Sequence, residues 1–155
     1  MKPEDGKIFT GLSDDSLMAL TVWGEARGEK DVGKMAVACV LKNRHDLWKQ
    51  TYNKVCLGKN QFSGFISTDP NYPKLKSLAQ SILMGTVNDK YYNDCLIAVC
   101  SVLGPSCTIS VENATFYRVI GCKNSWFDGQ VNSGNLIKVK TIGRHEFYAE
   151  KKYLK

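Results

Sequence analysis

No apolar run in these 155 residues approaches the roughly 20 needed to cross a bilayer. The longest, Leu96 to Val99 with its neighbours, is far too short. Histidine is scarce, with only His45 and His145. The six cysteines, Cys39, Cys56, Cys95, Cys100, Cys107 and Cys122, include no C-x-x-C pair. Nothing in the spacing therefore asks for a metal site, and none is expected. There is no internal repeat, low-complexity tract, arginine-rich arm or recognised nucleic-acid motif. The opening MKPEDGKIFTGLSDD has early acids and no apolar segment, which does not read as a secretory signal. A chain that stays in a reducing compartment keeps its thiols. The cysteines are accordingly expected as free, mostly buried thiols rather than disulfides.

What is present is an ordinary globular composition, 43% hydrophobic and 23% charged, with a net charge of +6. The size suits one domain with a sizeable core. We read residues 1–12 as a loose lead-in and 13–155 as the domain. The excess positive charge is spread along the chain, densest at Lys138 with Lys140 and at Lys151, Lys152 and Lys155. Such a surface suits an anionic partner.

A first helix is predicted from Ser13, a good N-cap followed by Asp14 and Asp15. Met18 and Val22 fall on one face, and Glu25 and Glu29 continue it at helical spacing. Gly28 is the expected stop. A carboxyl group on an apolar stripe near a helix C-terminus has its pKa raised by both burial and the helix dipole. Taken locally, Glu25 reads more readily as a surface residue paired with Arg27 or Lys30. A second helix is predicted from Asp31, as cap, to about Trp48, with Val32, Ala36, Cys39, Val40 and Leu47 inward. Asn43 in that stripe needs hydrogen-bond partners. A loop follows over Gly58–Gly64, then a turn at 69–73. A third helix is predicted over 74–84, with Leu75, Leu78, Ala79, Ile82 and Leu83 inside and Gly85 as terminator. Residues 95–103 fit a buried helix or strand equally well. Residues 114–120, 136–142 and 146–148 are β-rich and predict a small sheet beside a helical body.

Four segments in order carry a resemblance. They are GEARGE (Gly24–Glu29), AVA with NR (Ala36–Ala38, Asn43–Arg44), QFS (Gln61–Ser63), and ATFY with IGRHEFY (Ala114–Tyr117, Ile142–Tyr148). Together they resemble the cell-wall hydrolase family that includes the catalytic domain of spore cortex-lytic enzymes, over about residues 16–148. Two departures stand out. Phe116 stands where the family often has His or Tyr, and residues 88–112 read as an insertion.

The resemblance implies an α+β fold, mostly helical and lysozyme-like, with a small antiparallel sheet. It implies peptidoglycan as partner and cleavage between N-acetylmuramic acid and N-acetylglucosamine, with no cofactor and no metal. Glu25 takes the position of the catalytic acid, consistent with a proton donor kept protonated near neutral pH. Gln61, Ser63, Tyr117, Glu29 and Trp126 are candidate substrate-binding residues. His145 reads as a packed histidine. A second carboxylate is not singled out among Glu29, Asp31, Glu112 and Asp128. That favours a lytic transglycosylase, in which one Glu serves as acid and then base, over a water-using muramidase or glucosaminidase. A non-catalytic glycan-binding or virion structural module is the alternative outside enzymes. A basic nucleic-acid-binding domain would rest on charge alone, and no nucleic acid partner is expected. The expected setting is a phage endolysin or virion lysin. It would be made in the cytoplasm and act on the wall after release or from a virion.

Overall fold

The computed structural model describes residues 8–59, 61–105, 107 and 109–154. Its elements run α1 (Asp14–Ala26), α2 (Asp31–Trp48), α3 (Tyr52–Leu57), a 3-10 turn at Ser63–Phe65, α4 (Tyr72–Met84) and α5 (Lys90–Leu103). Then come β1 (Ala114–Val119), α6 (Ser125–Asn132), β2 (Leu136–Ile142), β3 (His145–Glu150) and a 3-10 turn at Lys151–Tyr153. The strands form one antiparallel sheet in the order β1-β3-β2. The architecture is the mostly helical α+β expected from the sequence.

Helix α1 is the hub. Ser13 caps it, accepting from the Ser16 backbone N–H at 3.3 Å. Residues Leu17 through Trp23 are all buried, so the helix is enclosed all round and not merely on the Met18–Val22 face. A helix apolar on every side must be central, and α1 is packed against α2, α3, α4 and α5. Its one buried hydroxyl, Thr21, is satisfied by the Leu17 carbonyl at 2.9 Å.

Several expectations are corrected. Asp31 is the first residue of α2 and Lys30 holds the cap position without a side-chain bond. Val32 and Leu83 point to solvent. Helix α4 begins two residues early, with Pro73 in its first turn, where a missing N–H costs nothing. Gly85 closes α4 at φ 73°, a left-handed conformation that favours glycine. Residues 1–7 of the expected lead-in lie outside the described residues. Phe9 and Leu12 are core residues, so the rest of that stretch is part of the body. The segment read as an insertion carries α5, whose Tyr92, Cys95, Val99 and Val102 are buried against α1 and α2. It is a core helix, not an appendage. All six cysteines are free.

The sheet is attached to α2 by two adjacent side chains. Asn43 donates to the carbonyls of Glu112 and Ala114, both at 2.9 Å, which meets its need for partners. Arg44 Nε donates to the Thr115 carbonyl at 2.7 Å. That carbonyl is available because β1 slips register between Ala114 and Phe116, and a bulge frees a residue from the ladder. A smaller apolar cluster, Phe127, Leu136 and Tyr148, fixes α6 over the outer sheet.

Candidate active site

Where α1 ends against the sheet, a cavity of about 710 Å³ opens, lined by Glu25, Arg44, Gln61, Phe116, Tyr117 and Trp126 among others. Its size lies within the range of about 300–1,000 Å³ usual for ligand sites. Among the described residues, Glu25 is the one acid in the lining.

Glu25 stands in the last turn of α1. Burial pushes its carboxyl pKa above the ordinary value of 4.5. A hydrogen bond from Tyr117 and the charge of Arg44 pull the other way, and Asp69 adds to the rise. The Tyr117 hydroxyl donates to Glu25 Oε1 at 3.0 Å. Burial, and then the nearby Glu25 charge, raise the Tyr117 phenol well above 10, so it remains a donor. Pairing of Glu25 with Arg27 or Lys30 does not occur: Arg27 lies over the Trp23 ring at 4.0 Å and bonds Asn71 at 3.1 Å.

Replacing Tyr117 by Phe keeps the packing and removes the bond that favours ionised Glu25. The Glu25 pKa then rises further. In an NMR titration the labelled Glu25 carboxyl should then lose its proton at higher pH than in the parent. An unmoved titration would count against this role of Tyr117.

Arg44 organises the rest of the wall. It is 6% exposed and lies near the rings of Trp48, Phe62 and Phe116, at 4.9, 5.3 and 5.2 Å. Its Nη1 donates to Gln61 Oε1 at 3.0 Å. Gln61 therefore has its carbonyl fixed by Arg44 at the cavity wall. The sequence reading placed Arg44 in a motif but gave it no role; only contacts 17 and 71 residues apart reveal one. Trp126, on α6, is 55% exposed and lies 5.6 Å from Phe116, an aromatic surface open to solvent.

Two expected binding residues lie elsewhere. Ser63 is exposed at the start of the 3-10 turn and does not line the cavity. Glu29 does not share the Glu25 face, because α1 stops at Ala26 and helical spacing no longer applies. It is buried under the β2–β3 turn. Its Oε1 accepts from the Arg144 backbone N–H and from His145 Nδ1, both at 3.1 Å, and its Oε2 from Arg144 Nε at 3.0 Å. Burial raises the Glu29 pKa, but the Arg144 bonds and the Arg144 and His145 charges outweigh it and leave the pKa low. Burial also lowers the His145 pKa. Facing a carboxylate, which can only accept, His145 Nδ1 is the donor of their hydrogen bond. Gly143 makes the turn possible: at φ +57° it is left-handed, and a Cβ there would meet Glu29 Oε1 at 3.1 Å. His145 in turn meets the Tyr117 ring edge to face at 5.4 Å. Glu29 thus supports the cavity from behind.

The other acids once in view are occupied or remote. Asp128 pairs with Arg118 at 2.6 Å. Asp31 and Glu112 are exposed on other elements. Among the described residues, no group of three or more His, Cys, Asp or Glu is placed to hold a metal ion. Among the described residues, too, no helix is long and apolar enough to cross a membrane.

A cell wall hydrolase family profile matches residues 28–148. The chain belongs to the cell wall hydrolase family. The match begins three residues after Glu25 and takes in Glu29, the Asn43–Arg44 pair, Gln61 and all of the sheet but the last two residues of β3. Among solved structures, the chain is similar to the catalytic domain of the germination-specific lytic transglycosylase SleB from Bacillus anthracis. Identity is 22%, with 89% of this chain and 97% of that one covered, at a TM-score of 0.56. It is also similar to the catalytic domain of the Bacillus cereus SleB protein, at 23% identity, 89% and 92% coverage and a TM-score of 0.54. These likenesses establish a shared fold. No curated protein sequence matches the chain.

Proposed function

We propose that this cell wall hydrolase cleaves peptidoglycan glycan strands between N-acetylmuramic acid and N-acetylglucosamine as a lytic transglycosylase, with Glu25 as acid and then base. The observation that carries this reading is a single carboxyl group lining the cavity, held by Tyr117 and raised in pKa by burial. Protonated Glu25 gives its proton to the glycosidic oxygen as the carbon–oxygen bond breaks. The muramoyl 6-hydroxyl attacks the anomeric carbon, and the Glu25 carboxylate takes the hydroxyl proton. The product ends in a 1,6-anhydro ring, and no second carboxylate is needed to activate water. The lytic transglycosylase named among the similar structures has this fold.

Mass spectrometry of muropeptides released from purified walls tests the reaction type. Anhydro-ended products, one water lighter than reducing ends, are expected. Reducing ends alone would assign a water-using muramidase or glucosaminidase, and no release at all a glycan-binding module.

We assign Gln61 to substrate positioning. With its carbonyl held by Arg44, its N–H₂ is available to an N-acetyl carbonyl, and a misplaced bond can cost about 10²-fold in rate. Gln61→Ala should lyse walls poorly. Because Arg44 has other partners, it should melt close to the parent. A destabilised but fully active variant would remove Gln61 from the site.

The setting we propose is a phage endolysin or virion lysin, made in the cytoplasm and acting on the wall afterwards. Six unpaired thiols are consistent with synthesis in a reducing compartment.

A further inference from the structure

The cavity at Glu25 does not end at Trp126. Phe116 and Trp126 also wall a second hollow of about 250 Å³, on the far side, completed by Gln130, Asn135, Leu136, Lys151 and Lys152 with Glu150. Its chemistry differs from that of the first. Leu136, 3% exposed, and Phe116 make an apolar base. Asn135 Nδ2 donates to Gln130 Oε1 at 3.2 Å, which leaves the Asn135 oxygen and the Gln130 N–H₂ for a ligand. The Lys151 backbone N–H donates to the Asn135 carbonyl at 2.9 Å, fixing the terminal 3-10 turn beside the hollow and placing both lysines on its rim. Glu150 offsets only part of this charge. Its Oε2 already accepts from Trp48 Nε1 at 2.8 Å and Thr115 Oγ1 at 2.9 Å. Its Oε1 lies 4.0 Å from Lys152 Nζ. Lys151 has no ion pair among the described residues.

We propose that this hollow is a subsite for the acidic peptide branch that the glycan strand carries on N-acetylmuramic acid. The inference rests on the glycan-cleaving reading above for its choice of polymer. Four observations favour a peptide branch over another sugar. The volume falls below the range of about 300–1,000 Å³ of whole-ligand sites. An uncharged sugar gives two ammonium groups nothing to neutralise, whereas a peptide brings free carboxylates. An amide pair offering one acceptor and one donor matches a peptide bond. The apolar base suits a small aliphatic side chain. Continuity through Phe116 and Trp126 puts the branch beside the sugar held at Glu25.

The test uses the Glu25→Gln chain, which binds without turnover, and the same chain with Lys151→Gln and Lys152→Gln. The ligands are purified glycan strands bearing their peptides and the same strands stripped by an amidase, with the lactyl carboxylates that stripping frees capped as methylamides. The unaltered rim should prefer peptide-bearing strands at low salt. The double variant should reduce that preference about tenfold, as expected for two exposed charge contacts. Absence of any preference, or a preference the double variant leaves intact, overturns the subsite. Cleavage by the parent chain reports separately. If neither strand is cut while the preference and its loss are observed, the catalytic reading fails and the subsite stands.

Discussion

Glu25→Gln is expected to fold, to lose wall lysis by about 10²–10⁴-fold, and to melt above the parent at neutral pH. The amide is isosteric and keeps a partner in the Tyr117 hydroxyl, but it cannot protonate a leaving oxygen. The stability gain follows from the direction of the pKa shift. Burial raises the folded-state pKa of Glu25 above 4.5, so the folded protein binds more protons than the unfolded chain in that window. Stability then falls as pH rises through the folded-state value, because an ionised carboxylate is left in a poorly solvated site. Glutamine carries no charge at any pH. The two melting temperatures should differ least at or below about pH 4.5 and diverge above it, with the variant higher. Scanning calorimetry between pH 4 and 8 beside a turbidity assay supplies both measurements. A well-folded variant with near-normal lysis would falsify the acid assignment, and a parent that gains on the variant as pH rises would contradict the burial argument.

The second large effect is expected at Arg44. Arg44→Met fills similar volume, but it strands the Thr115 carbonyl and Gln61 and removes a cation from among three rings. Lost hydrogen bonds at buried groups cost about 1–3 kcal/mol each and a cation–π contact about 0.5–2. A loss of about 3–5 kcal/mol is expected, out of the roughly 5–15 kcal/mol that holds a domain together. For a chain of this length that lowers Tm by about 10 °C or more. Arg44→Lys should rescue little, since an ammonium cannot reproduce the planar fork that serves Thr115 and Gln61 together. Urea titration of the three proteins measures the losses; a lysine variant as stable as the parent would place the weight on charge rather than geometry.

Local signals were legible where the physics is local. Ser13 as cap, Gly85 as stop and the three β-rich segments all act within a few residues. Helix α3 and helix α6 carry only a cap each, Thr51 and Asn124, ahead of a short run. The first is six residues long, and the second carries Gly129 in its interior. Residues 95–103 resolved as helix because α1 and α2 offer α5 a surface to pack on. Glu29 shows the limit of periodicity. The spacing that put it beside Glu25 assumes a helix, and the helix ends between them. The partners of Glu25 and Arg44 could not be read locally at all, because pairing between residues so far apart depends on topology.

That separation bears on when the protein becomes active. Tyr117 stands 92 residues after Glu25, and Arg144 follows Glu29 by 115. A ribosome releases the N-terminal part first, at about 5–20 residues per second. The carboxyl group is in place with the first helix, yet the phenol that holds it and the hairpin that backs the phenol come from the final third of the chain. A chain made only as far as α5 therefore has the carboxyl group but neither the phenol that holds it nor the hairpin behind it, and the cleft is complete only once β3 has been made.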